Sequence, residues 1–245
     1  MSRTIREYYD AYWGPSGFSP SGLRHPRMES LIEPLLSGAD RCLDYGCGDG
    51  SGWGLWLSRR TPTYIGFDVS AAAVDLARAR GLDAHVLRED TLPLEDECVD
   101  VAICSEVFEH MLDPLAVAIE LHRVLRDGGS LVASVPNVAY WRRRIDLMVA
   151  GRWNGFGDDL SVAEPWRDPH IRFFTRDRFG AMLERAGFAD VSVGAHGGAL
   201  SRDVPGLRRV APRSPGSTYR RVEALLPSLA GARLDAVARK DRTMR

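Results

Sequence analysis

The sequence predicts an α/β fold: a mostly parallel seven-stranded sheet with helices on both faces. Two observations carry this. From about Leu31 onward, seven short apolar strand-like runs alternate with helical stretches, and repeated β-α-β alternation closes as a parallel sheet covered by its own crossovers. The glycines and acids that stand out fall at the carboxyl ends of those runs, the edge at which open parallel sheets bind ligands. A chain of 245 residues fits one such domain with insertions. Its 44% hydrophobic content fills a large core, and its 27% charged content gives an ordinary solvated surface.

In order, MESLIEPLL reads as a helix and RCLDY as a short buried strand running into GCGDGSG. WGLWLSRR starts a helix, and TYIGFDV is the second strand. SAAAVDLARARG carries Ser70 as its N-cap and Gly81 as its C-cap. AHVLRED and VDVAICSE are further apolar strands. DPLAVAIELHRVLRDGG is an amphipathic helix with Pro114 in its first turn, and SLVASVPN is the fifth strand. From 138 to about 174 the alternation breaks into an insertion rich in aromatics, glycine and arginine, the pattern of a lid or extra subdomain over a site. TRDRFGAMLERAGF resumes as a helix, ADVSVGAH is a strand, and ARLDAVARK is a last strand expected to pair antiparallel at the sheet edge. The expected organisation is an N-terminal arm over 1–30 and one ligand-binding domain over 31–245, with the lid at about 138–174. Tyr8, Tyr9, Tyr12 and Trp13 cluster in the arm, where they either pack on the core or close over the ligand.

A formal net charge of −1 excludes a strongly polyanion-binding composition. The stretch 197–245 is locally basic, with eleven Lys or Arg against four Asp or Glu. That is either a solvated face or an attraction for an anionic substrate or nucleic acid. Cys42, Cys47, Cys98 and Cys104 show no CxxC spacing and read as reduced thiols behaving as small hydrophobes. The N-terminal MSRTIREYYD lacks the apolar core of a signal peptide, and no run approaches the length of a membrane span. The expected location is cytoplasmic.

The strongest signal is LDYGCGDGSG, where Asp44 ends a strand and Gly46, Gly48 and Gly50 follow at alternate positions. Glycines permit a tight turn and close approach of a ligand to the backbone, and the following helix offers free N–H donors. The dinucleotide fingerprint GxGxxG fails in both registers, because Ser51 and Trp53 occupy the place of its third glycine. Asp68 ends the second strand, where an acid accepts ribose hydroxyls, and Asp90 follows the third. Beyond the fourth strand, SEVFEHMLDP spaces Glu106, Glu109 and His110 at i, i+3 and i+4. On a helical turn these share one face, able to hold a divalent cation or to set up a general base. Capping, solvation and core hydrogen bonding are the plain structural alternatives.

The acid-x-Gly-x-Gly-x-Gly turn with acids at successive strand ends resembles motif I of class I S-adenosylmethionine-dependent methyltransferases, over most of the chain. The resemblance implies a Rossmann-like fold with the lid after the fifth strand, S-adenosylmethionine as cofactor, and methyl transfer as the activity. It implies that Asp44 helps hold the methionyl ammonium, Gly46 to Gly50 pack against the cofactor, Asp68 accepts both ribose hydroxyls and Asp90 contacts the adenine, with Cys47, Val69, Thr91 and Ser105 as further cofactor-binding residues. ExxEH followed by His170 in RDPHIRFF is similar to the metal site of small-RNA 2′-O-methyltransferases, although Met111 stands where that family has a second adjacent histidine. EVFEH is also similar to ubiquinone-biosynthesis O-methyltransferases. These imply Glu106, Glu109, His110 and His170 as catalytic residues, and as ligands of Mg²⁺ or Mn²⁺ if a metal is used. Without metal, His110 is the base, Glu106 or Glu109 orients it, and His170 faces the acceptor from the lid. VPNVAYWRRRIDLMVAGRW resembles MetW-like proteins and methyltransferases of polysaccharide and natural-product pathways. Tyr140, Trp141, Trp153, Phe156 and Trp166 then line an acceptor pocket or pack the insertion itself, and of Arg142, Arg143 and Arg144 not all can face one ligand. Three functions follow: O-methylation of a small-molecule or sugar hydroxyl, 2′-O-methylation of an RNA ribose, or a MetW-like regulatory partner that binds cofactor.

Overall fold

The computed structural model describes residues 5–13, 24–88, 91–151, 168–197 and 227–241. Asp90, Trp153, Phe156, Trp166 and most of the basic C-terminal stretch lie outside them.

Seven strands form one sheet: β1 (Arg41–Tyr45), β2 (Thr63–Asp68), β3 (Ala84–Val86), β4 (Val99–Ser105), β5 (Leu125–Pro136), β6 (Ala189–His196) and β7 (Arg233–Arg239). Their order is β3-β2-β1-β4-β5-β7-β6. The pairings β1–β2, β1–β4, β2–β3 and β4–β5 are parallel, whereas β7 runs antiparallel to both β5 and β6. ARLDAVARK is therefore antiparallel as expected, but it is not the edge. It is inserted between β5 and β6, and β6 takes the edge. Burial explains the difference: Leu234, Ala236 and Ala238 alternate at 0% exposure, a pattern that needs a neighbour on both sides and cover on the face.

Period-two alternation divides the sheet residues between two cores. Val101 and Ile103 of β4 face one side, with Cys42 and Val132, beneath α2 (Pro26–Leu36), α3 (Gly54–Leu57) and α4 (Ala71–Ala79). Ala102 and Cys104 face the other, with Leu43 and Leu131, beneath α5 (Pro114–Val124) and α7 (Arg176–Arg185). Met28, Ile32 and Leu36, at spacings of four, put the buried stripe of α2 on the sheet; each such side chain contributes about 1.5–3 kcal/mol by leaving water. Two helices start as the sequence indicates. Ser70 Oγ accepts from Ala73 N at 3.2 Å, and Asp113 Oδ1 accepts from Ala116 N at 3.1 Å with Pro114 following.

The remaining described helices are α1 (Ile5–Tyr12), α6 (Trp141–Ala150) and the short α8 (Pro227–Ala230). No helix among the described residues is long and apolar enough to cross a membrane. The four cysteines are unpaired. The strand order reverses between β1 and β4, and the residues singled out from the sequence gather at the carboxyl end of this switch point.

Candidate active site

The turn after β1 is built by left-handed glycines. Gly46, Gly48 and Gly50 have φ of 77°, 55° and 74°. A Cβ at Gly46 would lie 2.4 Å from Val107 Cγ2, and one at Gly48 would lie 2.7 Å from the Trp13 ring, so close approach as well as backbone sign requires glycine here. The turn is tied to β2 through Gly46 N and Cys47 N, both donating to Phe67 O at 2.7 and 3.0 Å. Gly48 N donates to Asp68 Oδ2 and Ser70 N to Asp68 Oδ1, each at 2.9 Å. Asp68 is thus oriented by the turn and by the start of α4. Burial pushes its carboxyl above the ordinary range. Val69 beside it is partly buried against the core.

Asp44 is 2% exposed and accepts from the Tyr64 hydroxyl at 3.1 Å. Burial raises it to about 7, opposed by the Tyr64 hydrogen bond. Burial also pushes the Cys47 thiol well up, so it is an apolar packing group of the turn. Thr91 is exposed, and the loop it opens is fastened by Leu92 N to Glu120 Oε1 at 2.6 Å and by Arg123, which donates to Leu92 O and Leu94 O.

At the end of β4, Ser105 Oγ and Ser134 Oγ are 3.0 Å apart. Glu106 takes a left-handed φ of 56°, an uncommon conformation for a residue with a side chain, which costs about 1–2 kcal/mol. Its N donates to Ser134 O at 2.9 Å, Ser134 Oγ donates to its Oε1 at 3.0 Å, and Arg233 Nε stands 3.6 Å from Oε2. The expectation that Glu106, Glu109 and His110 share one helical face is therefore corrected. Only Phe108–His110 forms a turn, a 3₁₀ one, and Glu106 precedes it with its carboxylate directed to Ser134 and Arg233.

Glu109, His110 and His170 do converge. One ligand atom from each lies within 4.8 Å of the others, the only such group among the described residues. Glu109 is 0% exposed, neither carboxyl oxygen accepts a hydrogen bond, and burial with Glu106 nearby pushes it well above the carboxylate range. The His110 Nδ1 faces the Pro169 carbonyl at 3.3 Å. A carbonyl only accepts, so that nitrogen carries the proton and Nε2, 3.9 Å from Glu109 Oε1, keeps its lone pair. Burial, with His170 adding to it, lowers His110 to about 4, so the ring is neutral at physiological pH. The two imidazoles lie 4.6 Å apart, centre to centre. Asp168, which the sequence reading passed over, fixes His170 by accepting from its N at 2.9 Å and meeting its Nδ1 at 2.5 Å. Its signal was available: an acid two residues before a histidine is an Asx-type pairing. Ile171 N and Arg172 N donate to Glu109 O at 2.9 and 3.0 Å, which ties the 168–172 segment to the turn.

Of Arg142, Arg143 and Arg144, only Arg143 turns inward, donating to Asn137 O at 2.5 Å; burial lowers it to about 10. Arg142 pairs with Asp146 at 3.8 Å, and Arg144 reaches Ala139 O. Tyr140 is buried with its ring 5.9 Å from that of Trp141. A cleft of about 400 Å³ lies at the opposite end of the sheet, bounded by Gly38, Asp100, Arg126 and Gly129, and holds none of these residues.

A glycine turn, an acid at the end of the second strand and a histidine–carboxyl group beyond the fourth gather at one switch point, the place where open α/β sheets bind ligands. Family comparison gives the class. Residues 21–193 match the model of a methyltransferase domain, and the chain belongs to that family, the class I S-adenosylmethionine-dependent methyltransferases. It is 31% identical over 184 residues to a probable S-adenosylmethionine-dependent methyltransferase of Mycobacterium tuberculosis, covering 74% of this chain and 60% of the relative. It is 32% identical over 130 residues to a ubiquinone biosynthesis O-methyltransferase of Hahella chejuensis, covering 50% of this chain and 54% of that one. The chain thus spans little more than half the length of these relatives. A methyltransferase structure from Archaeoglobus fulgidus shares the fold, with a TM-score of 0.59 at 18% identity over 87% of this chain and 91% of the other.

The family implies S-adenosylmethionine as cofactor, and the residues fit it. The turn of left-handed glycines after β1 lies next to Asp68, whose carboxylate presents acceptors at the strand end.

Proposed function

We propose that the chain catalyses S-adenosylmethionine-dependent O-methylation of a hydroxyl on a small molecule or a sugar. The observation that carries this reading is the neutral His110, with Nε2 free beside the unpartnered Glu109 carboxyl at the sheet's carboxyl edge. When bound, the cofactor supplies an electrophilic methyl on a sulfonium. In this reading Asp44 and the Gly46–Gly50 turn hold its amino-acid end, Asp68 its ribose, and the 90–91 loop its adenine. Ser105 holds the floor between them through Ser134. His110 Nε2 receives the acceptor's hydroxyl proton while the oxygen gains the methyl, and the Pro169 carbonyl keeps the ring in the correct tautomer. His170, set by Asp168, orients the hydroxyl. Residues 1–30 serve as an arm and 138–174 as the acceptor lid of a 31–245 domain. The unpaired cysteines suit a cytoplasmic protein. The similarity to a protein named as an O-methyltransferase supports hydroxyl chemistry.

A second reading has its own observation. Two imidazoles and a carboxyl within 4.8 Å suit a divalent cation, Mn²⁺ better than Mg²⁺, which would lower the acceptor's pKa. Glu106 is not part of that set, being engaged by Ser134 and Arg233.

The test is incubation with S-adenosylmethionine and panels of phenols, alicyclic alcohols, nucleotide sugars and RNA 3′ ends, analysed by mass spectrometry. A methyl ether, formed about 10²–10⁴-fold more slowly by His110→Ala, supports the reading. A carbon- or nitrogen-methylated product overturns it. A protein that binds cofactor but methylates nothing favours the regulatory-partner reading instead.

A further inference from the structure

Helix α1 lies across the carboxyl ends of the first three strands, and none of its described side chains belongs to either buried core. Its anchors fall one on each loop. Trp13 covers the face of Gly48 after β1. Asp10 Oδ1 accepts from Ser70 Oγ at 2.8 Å and from Ala72 N at 3.3 Å after β2. Arg6 donates to Arg88 O at 3.2 Å after β3. One helical turn apart, these side chains place Tyr9 on the inner face of α1, half-buried. Its ring stands edge-on to His110, with centres 5.9 Å apart. Helix α1 therefore spans from the Asp68–Ser70 turn, held through Asp10, to His110, beside Tyr9. A methyl donor held at Asp68 must pass its charged sulphur along that interval to reach an acceptor at His110.

We infer that Tyr9 is a catalytic residue, its phenol ring forming the wall that receives the sulfonium of the bound methyl donor. This rests on the S-adenosylmethionine reading given above and goes beyond it in assigning the N-terminal arm a direct role. An aromatic face attracts a desolvated cation but gains nothing from a neutral thioether. Tyr9 thus distinguishes the donor from its demethylated product, and favours product release once the charge is gone. Asp10 is a positioning residue, acting through the docking of α1 on α4.

The experiment is calorimetric titration of S-adenosylmethionine and, separately, S-adenosylhomocysteine into the whole chain and into Tyr9→Leu, Tyr9→Phe and Asp10→Ala. Tyr9→Leu should weaken S-adenosylmethionine by about 3- to 30-fold and S-adenosylhomocysteine by less than about twofold. Tyr9→Phe, which keeps the ring, should bind both as the unaltered protein does. Asp10→Ala should reproduce the selective loss with the phenol still present, which keeps the test decisive should Tyr9→Leu unfold. Equal weakening of both ligands would make α1 a mere cover, and unchanged binding would remove Tyr9 from the site; either overturns the assignment. If the unaltered chain binds neither ligand, the cofactor reading itself fails and takes Tyr9 with it.

Discussion

Asp44 gives a prediction that separates burial from cofactor binding. Its carboxyl is enclosed beneath the glycine turn with one hydrogen bond, from Tyr64, and burial raises it from the ordinary 3.8 to about 7. Between those values the folded protein binds a proton that the unfolded chain has released. Stability is therefore fully present below pH 4, declines as pH rises, and levels off above about pH 7. At 1.36 kcal/mol per unit, the two units from pH 5 to pH 7 are worth about 3 kcal/mol. Asp44→Asn keeps an acceptor for the Tyr64 hydroxyl but cannot ionise, so that dependence disappears. Urea unfolding of both proteins at pH 5, 6, 7 and 8, without cofactor, measures the difference directly, since all other titrating groups cancel. The variant should gain on the parent by about 3 kcal/mol between pH 5 and 8, while losing affinity for S-adenosylhomocysteine because the ammonium has lost its partner. Two stability curves that stay parallel across this range would refute the reasoning.

Other outcomes follow from single contacts. Gly48→Ala forces a side chain into a left-handed φ of 55° and against the Trp13 ring, so it should cost about 1–2 kcal/mol in thermal unfolding and displace α1, visible as a change in tryptophan fluorescence. His110→Gln should lower kcat by about 10²–10⁴-fold with little change in cofactor affinity, because it removes the proton acceptor and not the turn. In the cation reading, Mn²⁺ titrated into the protein saturated with S-adenosylhomocysteine should bind once per chain. That binding should vanish in both Glu109→Ala and His170→Ala, whereas no heat with the unaltered protein would eliminate the cation.

The glycine turn and its neighbouring acid were legible in the sequence because their geometry is local. LDYGCGDGSG and GFDVS each specify a strand, a turn and a helix start within ten residues, and the structure seats Gly48 N on Asp68 across the β1–β2 neighbours the pattern implies. The group beyond β4 was legible only in part, because it is made by contacts across long sequence intervals. His110 meets Pro169, Glu109 meets Ile171, and Glu106 meets Arg233; no periodicity announces such pairs. The helical-face expectation for ExxEH failed for the same reason. Ser134 and Arg233, distant in sequence, capture the Glu106 carboxylate, and its backbone leaves the helical region. The place of β7 was also beyond a pattern reading, since antiparallel direction follows from chain return, but insertion between β5 and β6 follows from side-chain fit on both neighbours.

The central claim is that the turn after β1 and Asp68 together bind an adenosyl cofactor. Titrating S-adenosylhomocysteine into the unaltered chain and into Asp68→Ala, with unfolding of each checked, tests it most directly. The account predicts one site per chain in the parent protein and at least about 100-fold weaker binding in the variant, which loses charge-assisted hydrogen bonds to the ribose. No binding to the parent, or equal binding to a folded Asp68→Ala, would contradict it.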